Sequence, residues 1–320
     1  MVVIFYRTIF HNTDEKMRQN SPRINRKHAK TNVKPPQKKP EKKSNHTGAP
    51  LNASYKFHPM TKHSKVTHMS ERVPTGVEGL DEMVSGGFPR GRVILVIGGP
   101  GSGKTILASQ FLYKGISQHG ENAVLVSLDE GKNHYYSEMN KFGWDFKKAE
   151  AEGKFLFLDA TRLSRVAILK EKMLKEETSS LRGKQLQVDK LIEDLQAKIQ
   201  QIDAKRVVLD TLAALFYRFM DPIERRTAGQ DLIEALSDLG ATTIVTTELN
   251  QLGLERNILE EEFLVHGVIM MQTLYSGGAT TRAMQVEKMR GAGVNTNLVP
   301  YTIDRNGIEI FPTMSLFRDR

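Results

Sequence analysis

A glycine-rich segment is the feature that most constrains the fold of this chain. Residues 98–105 read Gly98-Gly99-Pro100-Gly101-Ser102-Gly103-Lys104-Thr105 and match the pattern G-x-x-x-x-G-K-[ST] in full. A predicted buried strand from Arg92 to Ile97 precedes the segment, and helical periodicity follows it from Thr105 to Ser117. The order of strand, glycine loop and helix predicts a phosphate-binding loop in an α/β fold.

The loop positions have distinct chemical roles in binding a nucleoside triphosphate. Glycines let backbone N–H groups approach phosphate oxygens, and the following helix adds the positive end of its dipole. Lys104 is predicted to reach the β- and γ-phosphates, and Thr105 to place its hydroxyl on Mg²⁺. The binding segment extends to Ile106. No N-K-x-D sequence for reading guanine is present, so the predicted cofactors are ATP and Mg²⁺.

Carboxylates follow two later strands. The apolar strand Val207 to Leu209 ends at Asp210, which is predicted to bind Mg²⁺ directly or through water. Asp129 and Glu130 close the strand Ala123 to Leu128, and the carboxyl ends of parallel strands share one edge of a sheet. Glu130 is therefore predicted to be the base that activates the attacking water, with Asp129 in support. The alternative is an acidic cluster that stabilises the next helix through its dipole.

The rest of the folded part alternates strand and helix patterns. Further helices are predicted at His134 to Phe142, 188–202 and Ile223 to Leu239, and further strands at Phe155 to Leu158, Thr242 to Thr247, Val268 to Leu274, Arg282 to Met289, Val299 to Ile303 and Ile308 to Phe311. This order predicts a mostly parallel sheet flanked by helices, with antiparallel strands at the C-terminal end. Residues 163–187 are more charged and are predicted to form a helical excursion with a loop near Thr178 to Gly183.

Charge divides the chain into two parts. Residues 1–70 contain 15 Lys and Arg against 3 Asp and Glu, whereas the remainder is slightly acidic although the whole chain carries +9. We expect a basic, disordered tail at 1–70 and one ATPase domain at 71–320. A second interpretation makes the tail an electrostatic arm for nucleic acid or an acidic partner.

The chain contains no cysteine, which excludes disulfides, thiolate metal sites and a cysteine nucleophile. This composition fits a reducing compartment, and we expect a cytoplasmic protein. No apolar run is long enough to predict a transmembrane helix. The apolar stretch Val2 to Phe10 is too short for the usual layout of a signal peptide.

These pieces, taken in order, resemble the KaiC-like branch of the RecA-type P-loop ATPases over residues 72–312. The resemblance rests on the P-loop, on the Asp129-Glu130 pair, and on four further segments: Val73-Pro74-Thr75-Gly76-Val77-Glu78-Gly79-Leu80-Asp81, Gly86-Gly87-Phe88-Pro89-Arg90-Gly91, Glu287-Lys288-Met289-Arg290-Gly291 and Asn306-Gly307-Ile308-Glu309-Ile310-Phe311-Pro312. It implies a homo-oligomeric ring, usually a hexamer, with ATP at subunit interfaces. It also implies that Lys288 and Arg290 reach the γ-phosphate of a neighbour. Two exposed basic residues on one strand face are the alternative.

The chain departs from the family pattern in two respects. It has room for one ATPase domain rather than two in tandem, and Glu262-Phe263 stands where the autokinase half carries Ser and Thr acceptors. We therefore expect a regulatory or signalling ATPase that does not phosphorylate itself there.

Two rival functions remain open on the sequence. One is a DNA-binding RecA/RadA paralogue in recombination or repair, but an F-x-x-A sequence of this chain, Phe146 to Ala149, lies inside the predicted core. The other is a signalling module that binds ATP without turnover, against which Lys104, Asp210 and Glu130 all argue.

Overall fold

The structure is a computed structural model that describes residues 71–161, 181–217, 219, 221–249, 258–276, 279–314 and 316. The predicted tail at 1–70 and most of the predicted excursion at 163–187 lie outside the described residues. The described residues therefore belong to the predicted domain at 71–320.

Within the described part of the chain, nine strands form one sheet in the order β11-β10-β9-β8-β3-β7-β6-β4-β5. Their bounds are β3 Val93–Gly98, β4 Ala123–Ser127, β5 Phe155–Asp159, β6 Arg206–Asp210, β7 Thr242–Glu248, β8 Gly267–Ser276, β9 Ala279–Met289, β10 Val299–Asp304 and β11 Gly307–Ile310. A separate antiparallel pair consists of β1 Arg72–Val73 and β2 Phe88–Pro89.

The direction of the strands matches the predicted fold class. Strands β3 to β8 are parallel to their neighbours in the central part of the sheet, whereas β9, β10 and β11 extend it as antiparallel strands. Parallel strands need crossover connections, and the helices between them provide these. The prediction of a RecA-type P-loop fold with C-terminal antiparallel strands is confirmed.

Helices cover both faces of the sheet. Their bounds are α1 Leu80–Met83, α2 Lys104–His119, α3 Lys132–Asn140, α4 Phe146–Ala151, α5 Leu181–Ile202, α6 Leu212–Phe216, α7 Pro222–Asp238 and α8 Glu260–Leu264. A hydrophobic core lies on each face of the sheet. Strand β3 contributes to both cores, because its side chains alternate between the two faces. Ile94 and Val96 pack with α2, α3 and α4, while Val93, Leu95 and Ile97 pack with α5, α6 and α7.

The sequence analysis was wrong about part of the excursion. A loop near Thr178 to Gly183 was predicted, but α5 begins at Leu181 and runs through Gly183. One glycine costs a helix only about 1 kcal/mol, so the good helix formers around it prevail. Helix α4 was not predicted at all, because it is short and opens with two lysines after Phe146, although Asp145 caps its N-terminus by accepting from the N–H of Lys148 at 2.9 Å.

Candidate functional site

The glycine loop joins the end of β3 to the start of α2, as its sequence predicts. A Cβ on Gly98 would lie 2.5 Å from Oγ of Ser102 and 2.7 Å from the carbonyl oxygen of Met271, so the loop can fold over the strand only at a glycine. Gly101 and Gly103 have φ angles of 72° and 94°, in the left-handed region that glycine adopts without strain. The backbone therefore has the tight curvature of a phosphate-binding loop.

Lys104 is held against this loop by its own backbone. Its Nζ donates to the carbonyl oxygens of Gly98 at 2.8 Å and Gly99 at 3.1 Å. Burial lowers the pKa of Lys104, and the carboxylates of Asp210 and Glu248 oppose that shift. The ammonium group is thus positioned at the loop and lies within the field of two carboxylates.

Asp210, the last residue of β6, meets the first turn of α2. The hydroxyl of Thr105 donates to Oδ2 of Asp210 at 2.8 Å, and the hydroxyl of Thr246 donates to Oδ1. Burial raises the pKa of Asp210, while the two hydroxyl donors and the charge of Lys104 act in the opposite direction. A hydroxyl and a carboxylate side by side are oxygen ligands of the kind Mg²⁺ prefers, so this pair fits the predicted metal site.

Glu130 lies in a tight turn at the end of β4. Ser127 fixes this turn, because its hydroxyl donates to the carbonyl oxygen of Glu130 at 2.7 Å and accepts from the N–H of Glu130 at 3.1 Å. Ser127 is paired in register with Asp210, which brings the turn to the edge of the sheet that carries the metal-site pair. The carboxylate of Glu130 is half-buried and contacts Nδ1 of His134, whereas Asp129 is exposed.

Sequence reasoning missed two residues at this edge. Glu248 ends β7 and is paired with Gly98. Its position at the end of a predicted strand resembles that of Asp210, but four threonines in β7 weaken the apolar signal. Tyr301 is buried on β10 and donates its hydroxyl proton to the carbonyl oxygen of Ser102 at 2.6 Å, which braces the loop from the antiparallel part of the sheet. No local pattern predicts that contact, since 199 residues separate the partners.

Lys288 and Arg290 lie toward the other end of the strands. Lys288 is paired with Val268 near the start of β8, whereas the P-loop end of β3 is paired with Met271. At about 3.3 Å per residue, this difference separates Lys288 from the P-loop end by about 10 Å along the strands alone. The width of β8 adds to that distance, so the two cations are remote from their own phosphate loop.

Both cations point to the same side, as their spacing predicts. Nζ of Lys288 donates to the carbonyl oxygen of Glu262, and Nη2 of Arg290 donates to that of Phe263 at 3.1 Å. Glu262 is 6% exposed and its carboxylate accepts from the N–H of Leu259 at 2.7 Å, whereas Phe263 is 56% exposed. Lys288 and Arg290 therefore lie against α8, at Glu262 and Phe263, the two positions at which the resemblance implies phosphate acceptors.

None of the helices among the described residues is long and apolar enough to cross a membrane.

Comparison with known proteins places this chain in a family. The family described as ATPase: KaiC matches residues 73–315. A UPF0273 protein of Methanocaldococcus jannaschii is 35% identical over 76% of this chain and 97% of its own length. The circadian clock oscillator protein KaiC of Picosynechococcus is 33% identical over 76% of this chain, and the aligned part spans 45% of that protein.

A solved structure gives the same result. The crystal structure of a KaiC-like protein of Pyrococcus horikoshii aligns with a TM-score of 0.63 and 32% identity, covering 76% of this chain and all of that one. The P-loop, the strand order and these relatives agree, and the chain belongs to the KaiC family as a single-domain P-loop ATPase.

Proposed function

We propose that this protein hydrolyses ATP with Mg²⁺ as cofactor. The observation that carries the proposal is the contact between Thr105 and Asp210, because it brings two Mg²⁺-type ligands together directly beside the phosphate loop. A loop that only bound phosphate would not need a second strand to deliver a carboxylate to the first turn of α2.

The residues divide the chemistry among themselves. Lys104 and the loop N–H groups hold the phosphates, and Thr105 with Asp210 would hold Mg²⁺, which neutralises charge on the β- and γ-phosphates when bound. The oxygen of the attacking water bonds to the γ-phosphorus while the bond from that phosphorus to the ADP oxygen breaks. Glu130 accepts the proton that the water loses in this step. Asp129 is exposed and is assigned a supporting role in the local field.

We further infer that the active form is a homo-oligomeric ring, a hexamer, in which Lys288 and Arg290 serve the ATP site of a neighbour. Their distance from their own P-loop supports this assignment, since a cation that cannot neutralise its own γ-phosphate is available to another. The family membership favours a regulatory or signalling role for ATP hydrolysis, since one relative is a circadian clock oscillator protein.

Two substitutions test the hydrolysis. Glu130→Gln removes the proton acceptor and keeps the shape, so we expect Mg·ATP binding to be retained and kcat to fall by about 10²- to 10⁴-fold. Lys104→Ala should instead weaken ATP binding itself. Glu152→Gln is the matched control, because Glu152 is an exposed carboxylate that pairs with Lys154 at 2.8 Å. A Glu130→Gln protein that turns over ATP at the wild-type rate would show that the base is elsewhere.

A second activity is proposed for residues 1–70, whose balance of 15 basic to 3 acidic residues favours salt-sensitive binding of nucleic acid or an acidic partner. Deletion of these residues should abolish binding to DNA of arbitrary sequence and leave ATP hydrolysis nearly unchanged. Equal DNA affinity in the truncated protein would favour the recombinase-like alternative. Against that alternative, the Phe and Ala residues of both F-x-x-A sequences, 146–149 and 157–160, are buried and cannot bind a neighbour as they stand.

A further inference from the structure

The side chain of Glu130 has its own partner, which the sequence analysis did not anticipate. Ser127 holds only the backbone of the turn, so it leaves the rotation of the carboxylate unspecified. His134, one helical turn further along the chain, contacts Oε1 of Glu130 through Nδ1. We propose that His134 is a positioning residue that orients the Glu130 carboxylate for proton transfer. The proposal rests on the proposed role of Glu130 as base.

The direction of this hydrogen bond follows from the chemistry of the partners. An ionised carboxylate can only accept hydrogen bonds, so the proton of the contact belongs to Nδ1 of His134. With Oε1 held by the ring, the carboxylate cannot rotate freely, and its second oxygen is fixed in direction. A base must be within hydrogen-bond reach of the proton that it removes, so this constraint acts directly on the rate.

Helix α3 provides the rigid platform that such a role requires. Tyr135, next to His134, is buried and donates to Oγ of Ser109 at 2.8 Å. The hydroxyl of Ser109 in turn donates to the carbonyl oxygen of Thr105 at 2.6 Å. One hydrogen bond therefore joins α3 to the P-loop helix α2, and a second, within α2, continues from Ser109 to the first turn of that helix. The ring of His134 is carried on an element whose position is set by the nucleotide site itself.

The charges around Glu130 predict how removal of His134 would change the pKa of Glu130. Burial raises the pKa of Glu130, the hydrogen bond and charge of His134 lower it, and the carboxylates of Glu138 and Asp210 raise it. Around His134, the described charged neighbours within ion-pair distance are Glu130 and Glu138, the latter at 3.9 Å from Nε2. Removing the imidazole thus leaves only influences that raise the pKa of Glu130, whereas neutralising Glu138 removes one of them.

The experiment compares three variants with the wild type in steady-state ATP hydrolysis across pH. His134→Ala should lower kcat by about 10- to 100-fold with little change in KM, since a misplaced group can cost about 100-fold. A base must be ionised, so activity falls as pH falls through its pKa, and this acid limb should move to higher pH in His134→Ala. His134→Asn places an amide N–H near the position of Nδ1 and should recover most of kcat.

Glu138→Gln is the matched control on the same helix. It should keep kcat and move the acid limb slightly to lower pH, opposite in sign to His134→Ala. A ¹⁵N spectrum of the His134 ring supplies a readout that does not need turnover: the Nδ1–H form should dominate in the wild type and lose that dominance in Glu130→Gln.

Each other result overturns the proposal in a distinguishable way. If wild type hydrolyses ATP and His134→Ala has the same kcat and pH profile, the positioning role is wrong while the proposed function stands. If Glu130→Gln matches the wild type, the base assignment fails and the role of His134 fails with it. Ligand atoms of Glu130, His134 and Glu138 lie within 4.8 Å of one another. If His134→Asn and Glu138→Gln lose activity alike and added Zn²⁺ affects only the wild type, the cluster is a metal site instead.

Discussion

The two ends of the parallel strands are built differently. At the carboxyl end, the P-loop, Thr105 and Asp210 are tied together by hydrogen bonds, and Lys104 is held by the loop carbonyls. Toward the other end, Lys288 and Arg290 donate to backbone carbonyl oxygens of the short helix α8, beside an exposed Phe263. The carboxyl end, which we call the phosphate end, is held together by its own hydrogen bonds, whereas the other, which we call the surface end, presents cations and an aromatic ring on a surface.

The difference separates what one subunit can do from what needs two. The carboxyl end contains the groups for holding ATP and, as we propose, for activating water. Among the described residues it lacks an arginine that contacts the loop, and Lys288 and Arg290, which we propose act on a neighbour's ATP, are at the far end. Backbone carbonyls compete weakly for a guanidinium compared with a phosphate, because pairs between ions form the stronger hydrogen bonds. We therefore expect Arg290 to exchange its present partner for a neighbour's γ-phosphate.

The largest effect expected from this comparison is at Arg290. Arg290→Ala should lower kcat by about 10³-fold or more, the range for arginine fingers, while the subunit's own loop still binds ATP. Glu130→Gln should be comparably inactive. When the two proteins are mixed under conditions of subunit exchange, interfaces that combine an intact Glu130 with an intact Arg290 should restore part of the activity.

A control variant tests whether the recovery of activity in the mixture depends on Arg290 specifically. Arg290 directly follows β9, whereas Arg282 lies on β9 near its opposite end, paired with Thr273. Arg282→Ala should therefore keep most of its activity, and mixing it with Glu130→Gln should give no recovery beyond its own activity. No recovery despite demonstrated exchange, or an active monomer on a sizing column, would rule out the arrangement in trans.

The next largest effect is expected at Gly98, at the phosphate end of the strands. Gly98→Ala adds a Cβ that would lie 2.5 Å from Ser102 and 2.7 Å from the carbonyl oxygen of Met271, so the loop must move. Overpacking of this kind costs about 1–3 kcal/mol, and we expect ATP affinity to fall by at least about tenfold. Gly293→Ala is the control, since the nearest atom to its added Cβ is 3.7 Å away. Nucleotide titration of both variants measures the difference, and equal affinities would contradict the close fit.

A smaller effect is expected at Glu248, which shares the edge but not the metal contact. Its carboxylate acts on Lys104 through charge, so Glu248→Gln should perturb the lysine without removing a ligand. We expect a loss of kcat of about tenfold, below that of a general base. A loss as large as that of Glu130→Gln would mean that Glu248 is the base.

The phosphate end could be predicted from the sequence better than the surface end. The P-loop, Asp210 and Glu130 were found because each follows an apolar strand, and a parallel sheet brings strand ends together without further information. Tyr301 and His134 were missed for opposite reasons. Tyr301 depends on the pairing of distant strands, while His134 is one of many polar residues on a helix, and only coordinates reveal which one meets the carboxylate.

The smallest expected effect is that no phosphate is transferred to the protein at the surface end. Glu262 and Phe263 occupy the positions at which the resemblance implies phosphate acceptors, and neither a carboxylate nor a phenyl ring carries a hydroxyl group. Incubation with Mg·ATP followed by mass spectrometry should find no phosphate on residues 255–275. Stoichiometric phosphoserine or phosphothreonine there would contradict the prediction.

A double variant sharpens this last test. Glu262→Ser with Phe263→Thr supplies two hydroxyls, but it also removes the carboxylate that accepts from the N–H of Leu259. If the surface end receives a neighbour's ATP, the hydroxyl at the exposed position 263 should be the one that gains phosphate, because the side chain at 262 is buried. Phosphate transfer to 263 that disappears when Lys104→Ala is introduced would link the two ends through bound ATP. Transfer to neither position, in a protein shown to form rings, would mean that α8 does not face the γ-phosphate.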